Sequence, residues 1–311
     1  MTKKITVIGS SNVDMIVKLK RIPQPGETLT GGVFTQVFGG KGANQAIGAA
    51  RAAAGKDILV SFVTCLGDDD NARRMIESFR KDNLNVDFAV IVKGVATGTA
   101  LILVDENGMN SIAVAPGANY SMSAKHIDSA LGKISDVEYV ILQMEIPVDT
   151  TRYIIDTAKK YNRKVIFNVA PAIVIEDSYL AKTDILIVNE TEASLLTGTT
   201  TDTNTNIEKA AKILRNKGVE TVIITLGANG SYVNDGKTKT FIPGFKVKAV
   251  DSTAAGDTYC GALAVALTEG RSITEAIQFA GAASAISVTR LGAQPSVPYR
   301  KEIDEFLKLQ K

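Results

Sequence analysis

The sequence predicts an α/β fold: a doubly wound, mostly parallel sheet flanked by helices, with a small inserted β-sheet lid. Three observations carry this prediction. Short apolar runs of strand length alternate with longer segments of helical periodicity along most of the chain. Two pairs of segments, at about 13–38 and 97–115, instead alternate in part between apolar and polar residues and are rich in Val, Ile, Thr and Phe. The loops richest in glycine and small polar residues fall at strand ends, where open α/β sheets bind their ligands.

The first strand covers 5–9, a compact apolar run closed by Gly9. Segments 14–19 and 28–38 are set off by Pro23, Pro25 and paired glycines and read as exposed antiparallel strands. Segments 97–104 and 111–115 form a second such pair across the turn Glu106-Asn107-Gly108. The main alternation runs helix 42–54, strand 58–65, helix 71–81 and strand 88–92. It resumes with helix 124–134, strand 139–143, helix 150–161, strands 165–169 and 185–188, helix 207–217 and strand 221–225. A strand-like run at 245–250 precedes helices at 256–268, 273–288 and 303–309. The lid strands interleave with those of the main sheet, so residues 1–311 are expected to form one domain with an insertion.

Composition narrows the function. A chain of 311 residues, 45% hydrophobic and 22% charged, can bury a large core. A net charge of +2 creates no strong field toward nucleic acid or membrane, and neither is expected as a partner. The basic cluster 18–21 reads as a solvated face. Cys65 and Cys260 lie far apart, with no disulfide framework or zinc spacing, and Cys65 sits in an apolar run as a small core residue. The apolar run at the start is too short for a signal peptide, and no segment reaches membrane-spanning length, so a cytoplasmic location is expected. The single histidine, His126, is expected on a helix surface; its isolation excludes His-rich metal sites and leaves only one residue around which a Ser-His-Asp triad could form.

The most informative stretch is Asp251-Ser252-Thr253-Ala254-Ala255-Gly256-Asp257, between a strand-like run and a helix. Backbone N–H groups at such a junction lack helical partners and form an anion site. Asp257 stands beside it on the first turn. A carboxylate next to an anion hole suits proton removal from a hydroxyl while negative charge builds on a phosphate. Taken alone, Asp257 also fits a capping aspartate.

No Walker A pattern and no dinucleotide glycine fingerprint is present. Phe38-Gly39-Gly40-Lys41-Gly42-Ala43-Asn44-Gln45 holds three glycines in four positions, which lets the backbone approach a ligand closely or simply turn before a helix. Asn12 and Asp14 point the same way in an extended stretch and suit a polyhydroxylated ligand, although turn residues would read alike. Gln143-Met144-Glu145 ends a strand and alone is uninformative. Asn189 and Glu192 lie one helical turn apart, where a carboxylate could hold waters of a magnesium ion or merely favour a helix N-terminus. The loop from Thr225 through Gly227 to Gly230 is a turn that could contact phosphate or ribose.

Taken together these segments resemble the ribokinase family, also called the phosphofructokinase B-type carbohydrate kinases. The resemblance covers essentially the whole chain and rests on two signatures, Gly39 to Gln45 and Asp251 to Asp257. Asn12-Val13-Asp14 and Gly292-Ala293-Gln294-Pro295-Ser296-Val297-Pro298 are similar to its ribose-specific members. The resemblance implies ATP-dependent phosphorylation of D-ribose at the 5-hydroxyl. It implies Asp257 as the base, and the backbone of Ala254, Ala255 and Gly256 as the anion hole. It places ribose on Asn12, Asp14, Gly40, Lys41, Asn44, Glu145 and Asp257. It places the nucleotide on Asn189, Thr225 and Gly227, with Gly230, Gly256 and Gly281 beside it, and Mg2+ near Glu192 through water. Gly281 departs from the larger polar residue that many relatives carry near the adenine. An activating K+ would match Asp251, Thr253, Ser287, Arg290, Gly292 and Ser296, several through backbone carbonyls. The lid would cover ribose and pair with a second subunit as a homodimer, with exposed edge strands available for that contact.

Alternatives within the fold are kinases acting on 2-deoxyribose or fructose. Asn12 argues for a hydroxyl at its position, since an unpaired buried amide costs ~1–3 kcal/mol. A non-catalytic sugar sensor is the alternative of another class, and the intact Asp257 with its anion hole argues against it.

Overall fold

The computed structural model describes residues 2–133 and 137–310. In chain order its elements are β1 (Lys3–Ile8), β2 (Asn12–Lys18), β3 (Val33–Gly39), α1 (Lys41–Ala52), β4 (Ile58–Gly67), α2 (Asp70–Lys81), β5 (Ala89–Val92), β6 (Gly98–Val104) and β7 (Asn110–Ala115). There follow α3 (Ala124–Lys133), β8 (Val137–Leu142), α4 (Val148–Lys160), β9 (Lys164–Asn168), α5 (Asp177–Leu180), β10 (Ile185–Asn189), α6 (Glu190–Thr197), α7 (Asn204–Asn216) and β11 (Thr221–Thr225). The chain ends with β12 (Ser231–Asn234), β13 (Lys239–Ile242), α8 (Ala255–Thr268), α9 (Ile273–Ser287) and α10 (Arg300–Leu309).

A nine-stranded sheet has the order β13-β12-β11-β10-β9-β8-β1-β4-β5. Neighbours from β5 to β11 are parallel, and β12 and β13 are added antiparallel at one edge. Burial on both faces explains the near-continuous apolar strands. Along β8, Tyr139 and Ile141 join a core with residues of α1, α2, α8 and α9. Val140 and Leu142 join the opposite core, with residues of α3, α4, α6 and α7. The doubly wound fold expected from the sequence is therefore the fold observed.

The lid is a separate four-stranded sheet in the order β3-β2-β6-β7. The pairs β2–β3 and β6–β7 are antiparallel as expected, whereas the central pair β2–β6 is parallel.

Other expectations need correction. The run 245–250 is not a strand: the β12–β13 hairpin holds the sheet edge, and the segment passes as irregular chain tied by Val250 N to Val288 O at 2.7 Å. That hairpin was not expected. Segment 28–32 is irregular, because the paired Gly31 and Gly32 delay β3 to Val33. The expected helix 124–134 is α3; its last residue, Ile134, lies outside the described residues, as do the first and last residues of the expected 1–311 domain.

Helices α1 and α8 touch along a seam of small residues. A Cβ on Gly261 would lie 2.4 Å from Gln45 O and 2.5 Å from Ala49 N, and one on Gly48 would lie 3.3 Å from Thr258 Cα. At Gly261 only glycine lets the backbones approach this closely, Gly48 leaves a tight but smaller margin, and the approach sets the geometry of the site above the sheet.

Candidate active site

The end of β1 leaves the main sheet through buried Gly9, Ser10 and Ser11 and continues directly into the lid as β2. Asn12 opens β2, and its Oδ1 accepts from Asn119 Nδ2 at 2.8 Å. Asn119 also accepts from Ser11 N at 2.8 Å, so the amide of Asn12 is held with its Nδ2 end left for a ligand. Gly40 has φ 89, and a Cβ there would stand 2.7 Å from Asn12 N; glycine satisfies both the left-handed turn and the close contact.

Lys41 begins α1. Its N–H donates to Glu145 Oε2 at 2.9 Å, and Ser10 Oγ donates to the same oxygen at 2.6 Å. A carboxylate from the end of β8 thus sits at the N-terminus of α1, where the helix dipole favours it.

Asp257 lies on the first turn of α8 and is buried. Asn44 Nδ2 donates to its Oδ2 and Gln45 Nε2 donates to its Oδ1, each at 3.0 Å. Ala254, the residue before α8, adopts φ 59 and ψ 11, a left-handed conformation that costs a non-glycine residue ~1–2 kcal/mol. It turns the chain sharply into the helix. The N–H of Ala255 donates to Ser252 O at 3.2 Å, within this turn. Gly256 is exposed, and a Cβ there would meet nothing within 4 Å, so open space lies in front of the helix start.

Charge links these pieces. Burial would lower the Lys41 ammonium, but Asp257, Glu145 and Glu192 face it and leave its pKa raised. Burial, with Glu145 nearby, raises Asp14 to about 6 against the pull of Lys41. Burial also raises Asp257, opposed by Lys41 and by the hydrogen bonds from Asn44 and Gln45. Glu192 is raised by burial and by Asp257, against a hydrogen bond from Asn189 N and the charge of Lys41. Lys41 is thereby shared between the lid side and the α6 side of the site.

On the α6 side, Asn189 and Glu192 form a reciprocal capping box. Asn189 Oδ1 accepts from Glu192 N and Asn189 N donates to Glu192 Oε2, both at 2.8 Å. Thr225 stands beside Asn189 in register across β10 and β11. Gly227 and Gly230 form the turn that follows. Gly281 lies on α9 facing Phe245, whose ring carbon would be 3.6 Å from a Cβ there. Phe245 comes from the segment misread as a strand, and it packs edge-on against Phe306 at 5.2 Å.

The remaining expected residues gather beside the N-terminus of α8. Asp251 Oδ1 accepts from Thr253 N at 2.9 Å and Thr253 Oγ1 at 2.6 Å, and Oδ2 accepts from Gly292 N at 2.9 Å. Burial opposes these bonds, and Asp251 is nonetheless lowered. Ser287 and Ser296 share a hydroxyl hydrogen bond of 2.8 Å. The Arg290 side chain turns away to Glu302 on α10.

Three buried amides behind Asp257 carry no role in the expectations drawn from the sequence: Gln45 and Gln143, which lie within the quoted motifs, and Asn168. A polar residue amid the alanines and glycines of α1 was the available signal for Gln45. His126, expected on the surface, is half-buried, with Nδ1 accepting from Ser123 N at 3.2 Å.

The arrangement joins a buried carboxylate, an open helix N-terminus and a lysine that faces four carboxylates, Asp14, Glu145, Glu192 and Asp257. It can take a proton from a hydroxyl and stabilise negative charge beside it.

Comparison with known proteins agrees with this chemistry. The family described as pfkB family carbohydrate kinase matches residues 2–300. A ribokinase of Haemophilus influenzae is 41% identical over 308 residues, covering 99% of each chain. A deoxyribokinase of Salmonella typhi is 36% identical over 309 residues, 98% of this chain and 99% of that protein. The structure of Arabidopsis thaliana ribokinase complexed with ribose and ATP superposes with a TM-score of 0.91 at 34% identity, covering 99% of each chain.

Proposed function

The chain belongs to the pfkB family of carbohydrate kinases, and from that premise we propose that it transfers the γ-phosphoryl group of ATP to the 5-hydroxyl of D-ribose, giving D-ribose 5-phosphate and ADP. The observation that carries this reading is the buried Asp257 carboxylate at the N-terminus of α8, held by Asn44 and facing Lys41. Asp257 takes the proton of the 5-hydroxyl. The turn through Ala254, Ala255 and Gly256 faces the moving phosphoryl group with its backbone. Ribose is held by Asn12, Asp14, Gly40, Lys41, Asn44 and Glu145. ATP lies over Asn189, Thr225, Gly227 and Gly230, with the adenine toward Gly281 and Phe245. In-line phosphoryl transfer asks mainly for positioning and charge stabilisation, and these residues supply both.

Glu192 fits a magnesium ion held through water, since its Oε1 lies outside the capping box. When bound, that ion neutralises phosphate charge. Both oxygens of Asp251 already accept hydrogen bonds, so a potassium ion beside this loop would be held mainly by carbonyl oxygens near Asp251, Thr253, Ser287, Arg290, Gly292 and Ser296.

The lid supports a homodimer. Asp14 lies in register with Ala100 and Val114, and Ile16 with Ile102 and Ile112, so these side chains share one face of the lid. Ile112 and Val114 are 54% and 57% exposed there, an apolar extension of the sugar site that a second copy's lid would cover. Light scattering on the purified protein tests this, and a monomer at micromolar concentration would remove it. No helix among the described residues is long and apolar enough to cross a membrane. Free buried thiols at Cys65 and Cys260 accord with a cytoplasmic enzyme.

A coupled ADP-release assay with MgATP and potassium, comparing D-ribose, 2-deoxy-D-ribose and D-fructose, tests the substrate. Turnover on ribose is expected. The similarity to a deoxyribokinase supports a second reading, which turnover on 2-deoxyribose with silence on ribose would establish. Silence on all three substrates would leave a sugar sensor.

A further inference from the structure

Gln45 is completely buried, and every polar atom of its amide is used. Nε2 donates to Asp257 Oδ1 and to Asn168 Oδ1, both at 3.0 Å. Oε1 accepts from Gln143 Nε2 at 2.7 Å. Asn168 Nδ2 donates onward to Ile187 O at 3.1 Å. Three amides from α1, from β9 and from the end of β8 thus form one chain behind the carboxylate. The chain continues to the backbone of β10, the strand that ends at Asn189.

The direction of each bond follows from the ends. An ionised carboxylate and a backbone carbonyl only accept. Gln45 must turn its NH2 toward Asp257, which leaves its carbonyl for Gln143. Asn168 must accept from the second N–H of Gln45, which leaves its NH2 for Ile187. Every orientation in the chain is therefore consistent with an ionised Asp257. Gly9 belongs to the same arrangement: a Cβ there would lie 1.9 Å from Gln143 Oε1, so a side chain at residue 9 would expel the Gln143 amide.

Asn44 and Gln45 divide the two oxygens of Asp257 between them. Asn44 belongs to the sugar site. Gln45 lies behind the carboxylate, bonded to Asp257, Gln143 and Asn168. We propose that Gln45, itself held by Gln143 and Asn168, is the positioning residue of the base, fixing the rotation of the Asp257 carboxylate and favouring its ionised form. This rests on the assignment of Asp257 as the base.

The charged surroundings give the expected sign. Lys41 on α1, Glu145 beyond β8, Glu192 on α6 and Cys260 on α8 itself all face Asp257. Burial raises the carboxyl, and Lys41 with the two amides opposes it. Loss of one amide leaves burial and the neighbouring carboxylates less opposed, so the proton is held more tightly.

The test is Gln45→Met, close in volume but without hydrogen bonds, in the full-length protein. kcat at saturating ribose and MgATP is followed against pH, which separates the base from the titration of Asp14 in sugar binding, and ribose binding is measured by calorimetry without ATP. The acid limb should move up by about one pH unit and kcat should fall ~10–100-fold, with ribose affinity changed less than about threefold. An unmoved acid limb, with the loss of rate matched by weaker ribose binding, would mean that Gln45 only fills space. Should Gln45→Met fail to fold, Gln143→Leu frees the carbonyl end of Gln45 while keeping its donors. It should move the limb in the same direction by less, and an unchanged profile overturns the proposal. Asp257→Asn is measured alongside. Turnover in that variant would remove the base itself, whereas an inactive Asp257→Asn with a wild-type profile in Gln45→Met would remove only the role of Gln45.

Discussion

Asn44 Nδ2 lies 3.0 Å from Asp257 Oδ2 although 213 residues of chain separate them. The contact exists because Gly48 and Gly261 let α1 and α8 pack backbone to backbone. Two helices thereby present their first turns to one point. The first N–H groups of α1 are already paired, to Glu145 and Ser10, whereas the start of α8 opens to space at Gly256, so α8 is the end whose partial positive charge can stabilise developing negative charge.

Replacing the base tests the chemical assignment most directly. Asp257→Asn keeps the size of the side chain but cannot accept the hydroxyl proton. Turnover should fall by about 10²–10⁴ while ribose still binds. Steady-state kinetics and calorimetry on the same preparation check this. A variant that turns over at near-normal rate would show that another group takes the proton.

The α1–α8 seam can be tested away from the substrate. Gly261→Ala places a methyl group 2.4 Å from Gln45 O, so one helix must shift. Overpacking of this kind costs roughly 1–3 kcal/mol. Because the displaced residue is next to Asn44, kcat should fall with stability. Urea unfolding combined with kcat measurement separates the outcomes, and unchanged values of both would mean that the seam is not tight.

Much of this site was legible before the fold was known. Strand-length apolar runs followed by glycine-rich or acidic turns marked where Asn12, Lys41, Glu145, Asn189 and Asp257 would gather, because an α/β sheet brings its strand ends to one edge. The parts that escaped are tertiary. Phe245 to Val250 alternates like a strand, yet it finds no partner because β12 and β13 hold the edge. The parallel pairing of β2 with β6 joins segments far apart in sequence, and no local pattern encodes it. Gln45, Gln143 and Asn168 look like ordinary helix and strand residues until the fold sets them behind one carboxylate.

Arg51 anchors the loop that carries Ser296. Its Nε and Nη2 bind Asp82 at 2.8 and 3.0 Å, and Nη1 donates to Gln294 O and Val297 O at 2.7 and 2.8 Å. Tyr299 donates to the same Asp82 at 2.7 Å and its ring lies under the guanidinium. Arg51→Ala leaves a buried carboxylate without its cation and frees two carbonyls. It should cost about 3–5 kcal/mol in chemical unfolding. The same loop is proposed to border the potassium ion, so the variant should also need more potassium for half-maximal rate. A loss below ~1 kcal/mol would show that Tyr299 and water suffice for Asp82.

Asp14 offers a prediction in which stability and function move in opposite directions. Its carboxyl is raised to about 6 from 3.8, by burial first and by Glu145 second. A raised carboxyl favours the folded state below its unfolded pKa, and that contribution is lost as pH climbs through the folded value. The protein therefore carries an unfavourable ionised Asp14 above pH 6, and Asp14→Asn removes it. Relative to the unsubstituted protein, the variant should gain about 1–3 kcal/mol on going from pH 4 to pH 7.5. Sugar binding should respond the other way, since ionised Asp14 is the acceptor proposed for ribose hydroxyls. KM for ribose should rise in Asp14→Asn at pH 7.5, and in the unsubstituted protein it should rise as pH falls below about 6. Melting temperatures at the two pH values, with KM across the range, check both halves. A difference in melting temperature that stays constant between pH 4 and 7.5 would mean that Asp14 is solvated in the folded protein and titrates as an ordinary aspartate.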